Sequence, residues 1–105
     1  MPKLQLKIFT SESIKFDEPV DMIIMRCVYD EVGKKSITNE IGILPGHLPF
    51  SAVLGKNGLR ILNDGDERVI AVFGGVVNVQ DDVVTILTEK AAWPHETESA
   101  TTSHS

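Results

Sequence analysis

The sequence predicts an all-β domain: a two-sheet β-sandwich of about nine to ten short strands, followed by a polar tail. Three observations lead there. Apolar residues recur with a period of two along most of the chain. Turn signals built from Gly, Pro, Asn and Asp arrive every 8–12 residues or so. No window carries a long apolar stripe with the 3.6-residue spacing of a helix.

The elements follow in order. In KLQLKIFT, Leu4, Leu6 and Ile8 share one face, and Lys3, Gln5 and Lys7 the other. IKF, residues 14–16, is a second short strand, closed by Asp17-Glu18-Pro19. A β-rich run extends from Val20 to Tyr29, and EVGKKSITN, residues 31–39, reads as a polar loop or hairpin tip. EIGIL then enters EIGILPGHLPF, residues 40–50. Pro45 and Pro49 each lack an N–H, so this segment is no continuous central strand but a shaped, partly apolar loop. FSAVL alternates and stops at GKNG, residues 55–58, read as a glycine-framed turn. LRIL leads to NDGD, whose Asp64-Gly65 pair suits a tight hairpin turn. ERVIAVF is a strand interrupted at Gly74-Gly75, and VVNVQ resumes it. Asp81-Asp82 turns the chain into VVTILT, the last clear strand. TEKAAW has room for one helical turn at most. From Pro94 onward the composition has almost nothing to bury, so the expected organisation is a sandwich over residues 1–93 and a disordered tail over 94–105.

Composition narrows the function classes. With 105 residues the chain is one domain rather than two. Its net charge of −5 argues against nucleic acid as the main ligand and against electrostatic docking on anionic lipid, since both need a basic face. Cys27 is the single cysteine, so no intramolecular disulfide forms, and its apolar surroundings predict a small buried residue. The longest apolar run, residues 69–77, is too short to cross a bilayer as a helix. The N-terminal stretch alternates without an apolar h-region, so no secretory signal is expected.

Candidate chemistry is sparse. His95 and His104 fall in the tail, which leaves His47 as the one histidine of the folded body and makes a converging metal site unexpected. A nucleophilic Cys27–His47 pair has no support in the local sequence around either residue. The carboxylates of NDGDE lack calcium-loop spacing and fit a solvated turn. Gly74-Gly75 precedes a strand rather than a helix, which fits a bulge or a close approach between sheets and not a phosphate cradle. The expectation is a non-catalytic binding domain without cofactor or metal. A free-standing glycan- or peptide-binding sandwich is the alternative, with Trp93 and Tyr29 as its few available aromatic contacts.

An ordered set of short motifs goes further. Thr10-Ser11-Glu12 closes the first strand, and Phe16 precedes Val20-Asp21-Met22-Ile23. GILPGHLP follows at residues 42–49, then Gly58 to Leu62 with Ile61, Gly74 to Val79, and Val84 to Leu87. In this order, over roughly residues 3 to 92, the chain resembles the N-terminal β-sandwich domain of the epsilon subunit of the rotary ATP synthase. The resemblance implies a non-catalytic central-stalk subunit that packs on the gamma subunit and the c ring and couples ion flow to ATP synthesis or hydrolysis. It implies a gamma-facing segment containing Leu44, Pro45, His47, Leu48 and Phe50, and a ring-facing one containing Glu40 and Ile41; the added length of the loop over residues 26–39 should project near that end and bring Lys34 and Lys35 to the ring. It also implies a peripheral position at the cytoplasmic face of a membrane; the absence of an evident transit peptide favours a prokaryotic or organelle-encoded source. Two features depart from the family. Residues 26–39 are longer than the usual loop, and the C-terminal helical hairpin used for inhibition, and in some members for ATP binding, has no counterpart.

Overall fold

The computed structural model describes residues 2–30 and 36–94, except for the side chains of 28–30 and 36–39. The expected loop tip at 31–35, with Lys34 and Lys35, and the tail over 95–105 lie outside the described residues. Eight strands are described: β1 Leu4–Phe9, β2 Ile14–Val20, β3 Met22–Asp30, β4 Ser36–Ile43, β5 Phe50–Asn63, β6 Asp66–Gln80, β7 Val83–Leu87 and β8 Ala91–Ala92. They hydrogen-bond in the order β2-β1-β7-β6-β5-β3-β4, with β8 also on β6. All pairings are antiparallel except β1 with β7.

The all-β expectation stands, but several predicted boundaries do not. GKNG is not a turn, and Gly74-Gly75 does not break the strand. β5 and β6 form one long hairpin whose register holds from Phe50 opposite Val79 to Asn63 opposite Asp66. What GKNG does is bulge away from β3. Ile24 pairs with Arg60 and Cys27 with Leu54, so residues 55–59 of β5 stand opposite only 25–26 of β3. Asn57 fills the gap: its Oδ1 accepts the Arg26 N–H at 3.4 Å, and its Nδ2 donates to Gly55 O at 2.7 Å. A glycine in a strand thus signals a bulge as readily as a turn. Likewise β2 does not stop at Phe16 but runs through Pro19 to Val20, opposite Leu4. It lies at one end of the strand order, where an edge tolerates a proline. Residues 36–39, expected as loop, pair with β3 as part of β4, Ser36 opposite Asp30.

The long hairpin is folded double, and this makes the sandwich. Its tip at Asp64-Gly65 and its open end beside Gln80 both lie next to the start of β1. Lys3 Nζ donates to Asp64 Oδ1 at 3.0 Å, and the Gln5 N–H donates to Asp82 O at 2.8 Å. The bend, at Gly55 and Gly74, therefore sits at the opposite end, where β1 and β7 stop and the Thr88 N–H donates to Phe9 O at 3.0 Å. Between the layers lies one aliphatic core. Leu4, Leu6 and Ile8 are fully buried, as the alternation predicts, with Ile23, Met25, Ile43, Leu59, Ile70 and Ile86. The C-terminal end of the domain is clasped by Arg68, whose guanidinium lies 4.3 Å from the Trp93 ring centroid and 5.7 Å from that of Phe16.

The strand ends are tied by polar contacts. Asp21 Oδ2 accepts the Asp64 N–H at 2.7 Å, and Asp21 Oδ1 lies 3.4 Å from Lys3 Nζ. That backbone hydrogen bond foremost, helped by the Lys3 charge, holds the Asp21 carboxyl below its ordinary pKa although burial opposes it. A lowered folded-state pKa stabilises the fold above the unfolded value, and the contribution is lost as pH falls through the folded one. An NMR titration is expected to place the Asp21 midpoint below that of an unstructured aspartate. Lys3→Ala should recover only part of the difference, because the larger cause is the Asp64 N–H.

Candidate docking surface

Period-two alternation puts one apolar residue inward and its neighbour outward. Apolar doublets break the rule, and four of them lie on adjoining strands: Ile8-Phe9, Val53-Leu54, Val76-Val77 and Ile86-Leu87. In each, one member enters the core: Ile8, Leu54, Val77 and Ile86 are all buried. The other is left on the outer face. The pairing aligns these leftovers. Val53 stands opposite Val76, Val76 opposite Leu87, Leu87 opposite Phe9, and Phe9 opposite Ile14. The bulge between Ile8 and Phe9 brings Ile14 into the row.

The result is an unbroken apolar row across β5, β6, β7, β1 and β2, about 19 Å long at ordinary strand spacing. Val53 is 57% exposed, Val76 45%, Leu87 51% and Ile14 61%, with Phe9 half-buried. Single exposed aliphatic residues are normal, but a contiguous row marks an interaction site. One strand-repeat away the same face is polar, with Ser51, Asn78, Thr85, Lys7 and Asp17 in register. Ser51 Oγ donates to Asn78 Oδ1 there at 2.8 Å. The apolar row is therefore a bounded stripe. The signal was present in the doublets; which doublets line up depends on register, which the sequence does not display.

The loop singled out by sequence has the shape expected of it. The His47 N–H donates to Leu44 O at 3.1 Å across Pro45-Gly46, and Gly46 has φ 87°. This is a type II turn, with proline fixing the first corner and glycine supplying the positive φ of the second. The Gly46 N–H donates to Asp82 Oδ1 at 2.8 Å, pinning the loop to the β6–β7 turn. His47 is half-buried; its Nδ1 lies 2.7 Å from Leu48 O and its ring packs edge-on to Phe50 at 5.9 Å. Leu44 is exposed and Leu48 is 79% exposed, whereas Pro45 and Phe50 are half-buried. This loop lies beside the β6–β7 turn, at the far end of the sandwich from the apolar row.

Glu40 is exposed but lies within β4 opposite Arg26, and not at the end of a loop. Ile41 is half-buried and packs on the core. Glu40, Arg26, Lys56 and Arg60 together line a polar cleft of about 220 Å³. Arg60 is already engaged there, its Nη2 donating to Glu67 Oε1 at 2.7 Å.

Cys27 and His47 are not brought together. Cys27 pairs opposite Leu54, beside the bend, while His47 sits at the other end. Cys27 is fully buried, and burial pushes its thiol pKa up. The native chain is expected to react very slowly with an aromatic disulfide reagent and to release one thiol per chain in guanidinium. Prompt native reaction would contradict this placement. Among the described residues no three His, Cys, Asp or Glu side chains converge as a metal group, and no helix is long and apolar enough to cross a membrane.

Comparison with known proteins agrees with the architecture. Residues 3–94 match the family model described as ATP synthase, Delta/Epsilon chain, beta-sandwich domain. The chain is 33% identical over 96 residues to the ATP synthase epsilon chain of Caldicellulosiruptor bescii, covering 91% of this chain and 64% of that one. It is 34% identical over 94 residues to the epsilon chain of Alkalihalophilus pseudofirmus, covering 90% and 64%. The chain thus spans somewhat less than two thirds of the length of these relatives. A chain of the Euglena gracilis mitochondrial ATP synthase, in a structure of OSCP, F1 and c-ring, superposes with a TM-score of 0.72 at 25% identity, over 96% of this chain and 62% of that one. A chain from the central stalk and c-ring of the Tetrahymena thermophila enzyme shares the fold, with a TM-score of 0.64 at 16% identity over 90% and 69%. The family model matches nearly the whole described body, and the chain belongs to the delta/epsilon-chain β-sandwich family of the ATP synthase.

Proposed function

We propose that this chain is an epsilon-type subunit of a rotary ATP synthase and docks on the gamma subunit through the outer face of its β2-β1-β7-β6-β5 sheet. The observation that carries the reading is the exposed row Ile14, Phe9, Leu87, Val76 and Val53. A folded chain with a bounded aliphatic stripe has a partner that covers it. Family membership and the solved assemblies of the Euglena and Tetrahymena enzymes support a central-stalk partner. The Leu44–Leu48 loop, with Pro45, His47 and Phe50, extends the gamma contact at the other end of the sandwich. Glu40, on the outer face of the second sheet, meets the c ring together with Lys34 and Lys35, and Ile41 braces that strand from the core side. The chain contributes no catalytic group. It is a rigid, tightly paired block that rotates with its neighbours, held peripherally at the cytoplasmic face of a prokaryotic membrane by the complex.

The test is co-expression with the gamma subunit from the same source, read by native mass spectrometry. A one-to-one complex is expected. A folded chain that gives no complex, while the same gamma preparation binds another epsilon chain, would overturn the reading.

A further inference from the structure

We propose that the apolar row is read through one socket: a bulky apolar side chain of the gamma subunit, with a lysine or arginine beside it, seats between the ends of β1 and β7. This rests on the gamma-docking reading above and names the anchor within it.

The socket follows from the bend. β7 pairs only with residues 76–80 of β6, and beyond Gly75 β6 turns away to pair with β8. The departure leaves a shallow, largely open depression of about 360 Å³, lined by Phe9, Ser11, Gly75, Leu87, Thr88 and Glu89. A depression of that size has room for one large side chain to lie in it. The Thr88 hydroxyl is turned away from the cavity's needs, since it already donates to Gly74 O and lies 3.1 Å from Lys90 O. The walls therefore offer the occupant apolar contact. Phe9 and Leu87 are also the central members of the exposed row, so socket and stripe are one continuous surface. Interfaces concentrate their binding energy where an aromatic or aliphatic anchor fills such a pocket.

The rim selects the charge of the occupant's neighbour. Glu89 is the one charged residue lining the socket; in the adjoining cleft it is joined by Glu12, Lys15 and Lys90. Neither carboxylate makes an ion pair among the described residues. Lys90, next in sequence, sits over the Phe73 ring at 5.5 Å instead. The Glu89 carboxylate at the socket, on a chain of net charge −5, complements a basic neighbour on the partner.

The experiment titrates purified gamma subunit with the full chain and three variants whose folding is verified by thermal unfolding. Ser11→Trp plugs the socket from its rim and is expected to weaken binding about thirty-fold. Glu89→Lys reverses the rim charge and is expected to weaken it about five-fold at low salt, with the difference shrinking as salt is added. Val53→Asp, at the far end of the row, reports on the docking face independently. If Val53→Asp weakens binding while Ser11→Trp and Glu89→Lys do not, the socket is overturned and the docking face stands. Three variants that all bind like the unaltered chain would overturn the docking face itself. A chain that instead dimerises through this surface, with the dimer lost in Ser11→Trp, would overturn gamma as the occupant.

Discussion

Gly75→Ala is expected to destabilise the fold by about 3 kcal/mol or more and to lower its melting temperature by about 15 °C. Two costs combine at this position. Its φ of 137° lies where side chains other than glycine are strained. A Cβ built there would also sit 2.1 Å from Leu87 O, and a backbone oxygen cannot swing aside as a side-chain tip can. Relief requires β6 and β7 to part where Val76 pairs with Leu87, in the middle of the sheet. Gly46→Ala separates the two costs. Gly46 also has positive φ, at 87°, but nothing lies within 4 Å of the added carbon. It should lose only the conformational part, about 1 kcal/mol. Thermal unfolding by circular dichroism compares the pair. Equal melting temperatures for the two variants would show that the strand–strand approach at Gly75 is looser than described.

Val76→Asp is expected to weaken the gamma complex by about 2 kcal/mol, roughly thirty-fold, with little change in the stability of the isolated chain. Val76 sits mid-row, between Val53 and Leu87 on the adjacent strands. In the free chain an aspartate there remains solvated and costs mainly β propensity, up to about 1 kcal/mol. In a complex it would be a charge placed inside an apolar contact without a partner. Binding measured by titration, beside melting of the free chain, distinguishes the two. A variant that melts like the original and binds gamma equally well would place the gamma contact elsewhere on the sandwich. Equal loss of stability and binding would mean that Val76 supports the fold rather than the interface.

Much of the molecule is legible in its sequence. The alternation of Leu4, Leu6 and Ile8 determined which face of β1 is buried, because a strand's side chains can point only two ways. Asp64-Gly65 and Asp81-Asp82 marked their turns because the required positive φ falls at both positions of each pair. Pro45-Gly46 determined the turn before His47 for the same kind of local reason. The ordered motifs determined the family.

What the tertiary structure decided was long-range. Gly55, Gly58, Gly74 and Gly75 look like stops, and only the constant register of β5 against β6 shows them as a bulge and a bend within continuous strands. A local turn signal and a bend look alike in sequence, because both need backbone freedom; the difference lies in whether a partner strand continues alongside. Glu40 looked like the end of a loop because its polar neighbours said nothing of the pairing with β3. The docking stripe was hidden for a related reason. Each apolar doublet states that one residue will be left outside, but Ile14, Phe9, Leu87, Val76 and Val53 are far apart in the chain. They become one surface only through the register of four strand pairings, and register is set by the whole sheet rather than by any one segment.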